Sequence, residues 1–250
     1  MTLRRTFVLA FALALFSSLA GAQAIRVLAS NGMKAAVDDL KPAAEKAIGK
    51  PITIEFGSTT MLKPKLESGE GYDVAIVTSE VIDDLIKAGK ISSDTRVKLA
   101  RCGIGVGIRA GAVKPDIKTG EALKRALLNV KAVSYAQDGA SRTSVEKMFA
   151  KMGIAEQMNA KTVLEQGSVR SAGRVVSGDA DFVLTLVSEI LPIKGIELLG
   201  PLPAEYQGYV SFSAGVATKA ANPGAAASFV KSLVVPVNAA VYKAKGMEPL

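Results

Sequence analysis

The chain of 250 residues has no histidine, no tryptophan and a single cysteine, Cys102. Without histidine it cannot form a Ser-His-Asp or Cys-His nucleophile or a His-ligated zinc site. One cysteine excludes an internal disulfide framework and a Cys-rich metal site. Aromatic residues make up only 5% of the chain, which disfavours the stacking platforms that bind single-stranded nucleic acid. We therefore expect no metal, no cofactor and no nucleic-acid partner.

The residues that are present indicate a folded protein with an excess of positive charge. Hydrophobic residues make up 49% and charged residues 22% of the chain, values typical of globular domains. There are 31 Lys and Arg against 23 Asp and Glu, so the formal net charge is +8. This excess favours an anion or an acidic surface as partner, and a solvated basic surface is the alternative.

The first 24 residues have the pattern of an export signal. Arg4 and Arg5 precede an unbroken apolar run over residues 7–16, and Ala22-Gln23-Ala24 forms an A-x-A cleavage site. A transmembrane anchor is the alternative, but ten helical residues rise only ~15 Å against a hydrocarbon core of ~30 Å. We therefore predict a signal peptide over residues 1–24 and a mature protein in the periplasm.

Two sets of alternating strands and helices follow the signal. This alternation predicts an α/β fold with mostly parallel sheets flanked by helices. Segments 103–108 and 209–216 are the candidates for crossing between the sets. We therefore predict two lobes, residues 25–104 with 209–250 and residues 105–208. A single doubly wound domain is the alternative.

Two prolines predict interruptions in helices. Pro42 lies inside the first helical pattern and predicts a kink or a break there. Pro236 separates the two predicted final helices, over residues 224–234 and 236–245, because proline is tolerated only in the first turn of a helix.

Four of the predicted strands end in turns that are rich in hydroxyl groups and glycine. In an open α/β sheet such turns lie at the carboxyl ends of the strands, where ligands bind. The helix N-termini behind them supply N–H groups and a partial positive charge for an anion. Four such turns in two facing lobes would converge on one cleft, and four unrelated helix caps are the alternative. The turns are Ser30-Asn31-Gly32, Ser58-Thr59-Thr60, residues 138–143 and residues 167–170.

Two of these turns carry an arginine, Arg142 and Arg170. A guanidinium suits a carboxylate or an oxyanion, and a surface arginine paired with a nearby acid is an equally open alternative for each. An S-x-x-K pattern at Ser144 and a K-T-G at Lys118 raise the alternative of a Ser-Lys hydrolase. However, the K-T-G precedes the S-x-x-K and starts a helix, whereas in those enzymes it follows the S-x-x-K and lies in a strand.

Several longer motifs span the chain behind the signal. The first strand leads into ASNGM, FGST follows the second strand, GYDVAIVTS follows the second helix, and VR precedes SGDADF. With these motifs the chain resembles the periplasmic molybdate-binding proteins of ABC importers. The resemblance implies a type 2 periplasmic binding fold, in which two lobes close over an oxyanion held by hydroxyls and backbone N–H groups. It also implies an ABC permease as partner and a monomeric protein.

The resemblance assigns roles to residues in the turns. Thr59, between Ser58 and Thr60 in the family's serine cluster, is the residue expected to touch the ligand, and backbone N–H groups are expected from Val169 and near Ser141. Two hydroxyl donors are replaced, because Gly32 stands at a usual serine and Leu186 at a usual tyrosine. The predicted ligand-binding residues are Ser30, Asn31, Gly32, Ser58, Thr59, Thr60, Ser141, Arg142, Val169, Arg170 and Leu186.

The sequence therefore predicts a solute-binding protein without enzymatic activity, which delivers a small anion such as molybdate or tungstate to an importer. Arg142 favours an organic acid as the alternative ligand. A periplasmic sensor that has lost transport and a Ser-Lys hydrolase are the alternatives of other classes.

Overall fold

The computed structural model describes residues 23–250, so the predicted charged and apolar parts of the signal lie outside the described residues. The first strand begins at Ile25, directly after the predicted cleavage site. The strands are β1 Ile25–Ser30, β2 Ile52–Gly57, β3 Val74–Thr78, β4 Val97–Arg109, β5 Val133–Ala136, β6 Thr162–Glu165, β7 Phe182–Leu186, β8 Ile196–Pro201, β9 Tyr209–Val216 and β10 Met247–Pro249. The helices are α1 Lys34–Ile48, α2 Thr59–Ser68, α3 Ser79–Lys87, α4 Gly120–Asn129, α5 Arg142–Lys151, α6 Ala155–Asn159, α7 Gly167–Ser177, α8 Val187–Ile190, α9 Pro223–Ser232 and α10 Ala239–Ala244.

The long strand β4 belongs to two sheets. Residues 97–103 of β4 pair with β9 in a first sheet, in which β1 lies parallel to β2 and β3. Residues 104–109 pair with β7 and β8 in a second sheet, in which β5 lies parallel to β6 and β7. Each sheet thus has three parallel strands, and β4, β8, β9 and β10 join by antiparallel pairing. The fold is a two-lobed α/β fold with a cleft between the lobes.

The helices pack on the sheets through apolar faces. In α1 the buried residues Ala36, Val37, Leu40 and Ala44 recur at helical spacing, and Gly49 ends the helix with a φ of 71°, a conformation that glycine adopts without strain. One large cluster of buried apolar side chains includes residues of both sheets. The hydrophobic core is therefore continuous from one sheet to the other.

The chain crosses between the sheets at two adjacent points. The first lies within β4, between Gly103 and Ile104. The second lies between β8, which pairs in the second sheet, and β9, since all of Tyr209–Val216 pairs with β3 or β4 in the first sheet. It therefore lies directly before the candidate segment 209–216. The lobe boundaries remain a prediction about which residues move together.

Two details differ from the sequence predictions, and one strand was not predicted. Of the kink or break predicted at Pro42, the break does not occur, because α1 runs on to Ile48. The carbonyl that Pro42 leaves without a partner belongs to Asp38, an exposed residue that water can reach. The last helix starts at Ala239, after a 3-10 turn at Pro236–Asn238. Strand β8 has no counterpart in the sequence prediction, because its pairing partner β4 is distant in sequence.

Over residues 23–250, no single helix has the length and apolar character that a membrane span requires. The segments Pro223–Ser232 and Pro236–Ala244 meet those criteria only as a pair, and they are bent by 54° at the break between them.

Candidate functional site

The carboxyl ends of five parallel strands surround one small cavity between the two sheets. Its volume is about 20 Å³, close to the space that one water-sized group needs. The first sheet and the second sheet both contribute to its wall. The lining residues are Ser30, Asn31, Ser58, Thr59, Ala136, Asp138, Gly139, Ala140, Gly167, Ser168, Leu186 and Glu189.

Helix N-termini from both lobes supply N–H groups at this cavity. Helix α2 begins at Thr59 and α7 at Gly167, and both residues line the cavity. The first N–H groups of a helix have no partner within the helix and carry a partial positive charge. These N-termini therefore favour an anionic group in the cavity.

The hydroxyl of Thr59 is buried without a hydrogen-bond partner. Within residues 23–250, the buried side-chain nitrogen and oxygen atoms in this state are Thr59 Oγ1, Arg26 Nε and Asn222 Nδ2. Of these three residues, Thr59 lines the cavity. Because buried polar atoms normally have partners, an unpaired hydroxyl at a cavity is a donor open to a bound group.

Two carboxyl groups also line the cavity. Asp138 accepts hydrogen bonds from Ser58 Oγ at 2.7 Å and from the backbone N–H of Gly167 at 3.0 Å. Glu189 accepts one from Thr185 Oγ1 at 2.5 Å. Burial raises the pKa of the Glu189 carboxyl, the hydrogen bond from Thr185 opposes this, and the negative charge of Asp138 raises the pKa further. Glu189 therefore takes up a proton more readily than an exposed glutamate.

One hydrogen bond joins the lobes at the cavity, and another joins them nearer the crossings. Ser58 of the first lobe donates to Asp138 of the second. Ser188 Oγ in α8 donates to the backbone carbonyl of Gly32 at 2.8 Å. The side chains that surround the cavity are therefore already in contact across the cleft, and a solute of more than a few atoms requires the sheets to move apart.

The structure brings together part of the predicted site. Ser30, Asn31, Ser58, Thr59 and Leu186 line the cavity. Ser141 is buried directly after the lining residues Gly139 and Ala140. The residues Gly32, Thr60, Arg142, Val169 and Arg170 are not part of the lining.

Arg142 points away from the cavity. Its guanidinium donates to the backbone carbonyl of Gln137 at 2.9 Å and to Glu146 at 2.7 Å, and it lines a separate depression with Tyr135 and Phe149. Arg142 is therefore a surface arginine paired with a nearby acid, which is the alternative interpretation of the sequence. Arg170 is exposed as well.

Three other predicted residues lie beside the cavity without lining it. Thr60 and Val169 each follow a lining residue on an exposed helix face, and the side chain of Val169 is 72% exposed. Gly32 is buried under Leu186 and Phe212. A Cβ atom at position 32 would lie 2.9 Å from Leu186 Cδ1 and 2.7 Å from Phe212 Cζ. The two replaced hydroxyl positions, Gly32 and Leu186, are therefore packing neighbours that fit one another.

The predicted ligand-binding residues do not include seven of the lining residues. All but two of them lie in the turns that the prediction singled out, and the exceptions are Ala136 at the end of β5 and Glu189 in α8. Asp138 lies two residues after the end of β5 at Ala136, in the turn over residues 138–143 that the sequence singles out. The omitted residues are Ala136, Asp138, Gly139, Ala140, Gly167, Ser168 and Glu189.

Other reactive groups of the described chain lie apart from this cavity. Cys102 is buried, its Sγ accepts from the backbone N–H of Ser188 at 3.4 Å, and burial raises the pKa of its thiol. Ser144 and Lys147 of the S-x-x-K pattern lie on α5 outside the lining. Residues 23–250 contain no group of three or more His, Cys, Asp or Glu placed to hold a metal ion.

Comparisons with known proteins give the fold and the family. The structure is similar to the periplasmic molybdate-binding protein of Azotobacter vinelandii, with a TM-score of 0.74, 18% identity and coverage of 89% of this chain and 98% of the other. It is also similar to the sulfate-binding protein SubI of Mycobacterium tuberculosis, with a TM-score of 0.72, 19% identity and coverage of 91% and 87%. A curated protein from Pseudomonas sp named aconitate isomerase is 28% identical over 233 residues, which are 90% of this chain and 88% of that protein. Residues 25–248 match the family described as bacterial extracellular solute-binding protein, and the chain belongs to this family.

Proposed function

We propose that the protein captures a small anion in the cleft between its lobes, outside the cytoplasm, and delivers it to an ABC permease. The observation that carries the proposal is the cavity itself. Two helix N-termini from opposite lobes open onto it, and the Thr59 hydroxyl at its wall is buried without a partner. Family membership supports solute capture, and the predicted signal peptide supports the periplasm.

The proposed capture depends on the separation and closure of the lobes. With the sheets apart, the N–H groups of α2 and α7 and the hydroxyls of Ser58 and Thr59 are hydrated. Closure on an anion replaces this water with fixed donors from both sides. The ligand then bridges the lobes at the place where Ser58 now donates to Asp138.

Thermal unfolding in the presence of single anions tests the proposal. The panel contains molybdate, tungstate, sulfate, phosphate, glycolate and acetate. A ligand at a hundredfold excess over its Kd stabilises the folded state by ~2.7 kcal/mol, which raises the Tm of a protein of this size by roughly 5–10 °C. At least one anion should produce such a shift, and no shift with any anion together with a clear shift for a neutral sugar would contradict the proposal.

A pair of neighbouring threonines supplies the matched variants. Thr59→Val removes the buried hydroxyl and keeps the side-chain shape, whereas Thr60→Val changes an exposed residue outside the lining. Because a hydrogen bond to a charged group contributes ~1.5–3 kcal/mol, Thr59→Val should weaken anion binding more than tenfold. Thr60→Val should leave the Kd within about twofold. Equal losses in the two variants would contradict a role for the Thr59 hydroxyl.

A second candidate function is the isomerisation of a small unsaturated carboxylate. It is favoured by Glu189, a cavity carboxyl with a raised pKa that can accept and return a proton, and by the similarity to a protein named aconitate isomerase. It ranks second because no Lys or Arg occurs among the described lining residues to balance a tricarboxylate. Incubation with trans-aconitate, followed by NMR for the cis isomer, tests it, and Glu189→Gln should abolish any turnover.

A further inference from the structure

The Asp138 carboxylate lines the cavity as a hydrogen-bond acceptor, whereas four other polar side chains of the lining can donate hydrogen bonds. Ser30, Asn31, Thr59 and Ser168 each carry an O–H or N–H group at the cavity. Both oxygens of Asp138 act as acceptors, one for Ser58 and one for the backbone of Gly167. Each carboxylate oxygen has two lone pairs, so Asp138 can accept further hydrogens.

The hydrogen bond from Ser58 shows that Asp138 accepts a hydrogen from across the cleft. Ser58 belongs to the first lobe and Asp138 to the second, so this hydrogen bond spans the cleft over 2.7 Å. When the lobes separate around a solute, Asp138 loses this donor, and the solute takes its place. A solute with an O–H group restores the hydrogen bond. A solute that presents only bare oxygens leaves a charged acceptor facing another acceptor, which costs affinity.

Glu189, the second carboxyl group of the cavity lining, is a donor when it is protonated. Its Oε2 accepts from Thr185, and the Ser168 side chain and the Leu186 backbone are further hydrogen-bond donors to this carboxyl group. The ionisable groups that face it are the carboxylate of Asp138 and the thiol of Cys102. In its neutral form the Glu189 carboxyl donates one hydrogen bond to a solute oxygen. The wall would then hold one charged acceptor, Asp138, among donors.

We propose that the cavity selects an anion that carries its own O–H group, with Asp138 accepting the O–H hydrogen and thereby determining specificity. The inference rests on the proposed function, because it names the class of anion for the same cavity. Two kinds of anion share this chemistry, protonated oxyanions such as hydrogen phosphate and hydroxy acids such as glycolate. Sulfate has nearly the shape of hydrogen phosphate without the hydroxyl hydrogen, and acetate is glycolate without the hydroxyl group.

Calorimetric titration at pH 7 with these matched pairs tests the inference. Phosphate is compared with sulfate and glycolate with acetate, on the mature protein. In at least one pair the member with an O–H group should bind at least tenfold more tightly. The pair in which the preference occurs identifies the source as an oxyanion or as a hydroxy acid.

Asp138→Asn is the central variant. The asparagine Oδ1 can accept from Gly167, and its Nδ2 can donate to Ser58 or to a bare ligand oxygen, so the fold is retained and the acceptor becomes a donor. The tenfold preference should fall to threefold or less, or reverse. Glu156→Gln, at an exposed carboxylate on α6, is the matched control and should change nothing.

The outcomes separate this inference from the proposed function. Binding of all four anions without preference would overturn the inference and leave anion capture in place. A preference that persists unchanged in Asp138→Asn would overturn the role of Asp138. Binding of none of the four anions would overturn the inference, and the proposed function would fail with it if molybdate and tungstate also gave no thermal shift.

Discussion

At the scale of single residues, close packing determines which side chains can reach the cavity. At Gly32 the space for a side chain is filled by Leu186 and Phe212. A serine hydroxyl at position 32 could therefore reach the cavity only if both neighbours changed. This explains physically why the two expected donor positions, 32 and 186, carry apolar residues together.

Gly32→Ala should lower the free energy of unfolding by ~1–3 kcal/mol, because its Cβ would lie within 3 Å of two buried side chains. Gly173→Ala is the control. Position 173 lies inside α7, has open space at its Cβ position, and should gain up to ~1 kcal/mol from helix propensity. Urea unfolding of both variants measures the difference. A Gly32→Ala protein as stable as the wild type would show that Leu186 and Phe212 can move aside.

Glu189 makes stability depend on pH. Its pKa is raised in the folded state by burial, so the folded protein holds a proton that the unfolded chain releases above about pH 4.3, the ordinary value for glutamate. Stability from this group is complete below that value and falls as the pH rises towards the raised pKa, by up to ~1.4 kcal/mol per pH unit. Glu189→Gln should remove this slope and be the more stable protein at pH 7. Urea unfolding at pH 4 to 8 measures it, and identical pH profiles for the two proteins would contradict the prediction.

The site was only partly predictable from the sequence at this scale. Ser30, Ser58 and Thr59 were predictable because the carboxyl ends of parallel strands meet at one edge. Arg142 lies in the right turn, but its direction depends on Glu146 one helical turn later and on the Gln137 carbonyl, and a turn motif contains neither contact. Asp138 lies in one of the turns that the sequence singles out, but its contacts with Ser58 and Gly167 join distant parts of the chain, and a turn motif does not contain them.

At the scale of elements, β4 holds the two sheets together. Its first half belongs to one sheet and its second half to the other, and the change occurs at Ile104. The side chain of Gln207 accepts from the N–H of Ile104 at 2.7 Å and donates to the Ile104 carbonyl at 3.1 Å. The Gln207 side chain therefore bonds to the backbone of β4 at the point where β4 leaves the first sheet. Because Gln207 precedes β9, these hydrogen bonds connect the two crossings.

Gln207→Ala should lower the free energy of unfolding by ~1–2 kcal/mol, since it removes two side-chain hydrogen bonds to Ile104, whose backbone N–H and carbonyl keep only Gly208 and Leu202 as partners. Gln157→Ala, at an exposed position on α6, is the control and should change stability by less than ~0.5 kcal/mol. Thermal unfolding followed by circular dichroism compares them. Equal melting temperatures for the two variants would show that Gln207 does not support the crossing.

Sequence patterns are sufficient to predict the helices and strands that are connected by short turns. The units β1-α1-β2-α2-β3 and β5-α5 have short connections and clear periodicity, and they lie where the sequence predicts. Strand β8 is not predictable from local patterns, because it depends on pairing with β4, almost a hundred residues away in sequence. Local periodicity carries no information about such a partner.

At the scale of the whole molecule, the hydrogen bonds across the lobes are of two kinds. Near the crossings, Ser188 donates to Gly32, and Gln207 binds Ile104. At the cavity, the bond between Ser58 and Asp138 spans the cleft. A single hydrogen bond to a charged carboxylate contributes ~1.5–3 kcal/mol, which a bound solute can replace. We therefore expect the lobes to separate on the cavity side while the crossings stay intact.

This arrangement predicts that ligand binding changes the shape of the molecule. With about 20 Å³ of space in the closed cleft, the unliganded protein must open to admit a solute, and a bound anion must shift the population towards the closed form. Small-angle scattering should give a smaller radius of gyration at saturation with the anion of largest thermal shift. Ser58→Ala removes the bond across the cleft, so its unliganded form should be more open and its affinity two- to tenfold weaker. Ser228→Ala, whose hydroxyl donates only to Gly224 within α9, should match the wild type in both measurements. A radius that stays constant while calorimetry shows full saturation would mean that the lobes do not close, and anions would then have to enter through fluctuations of the turns alone.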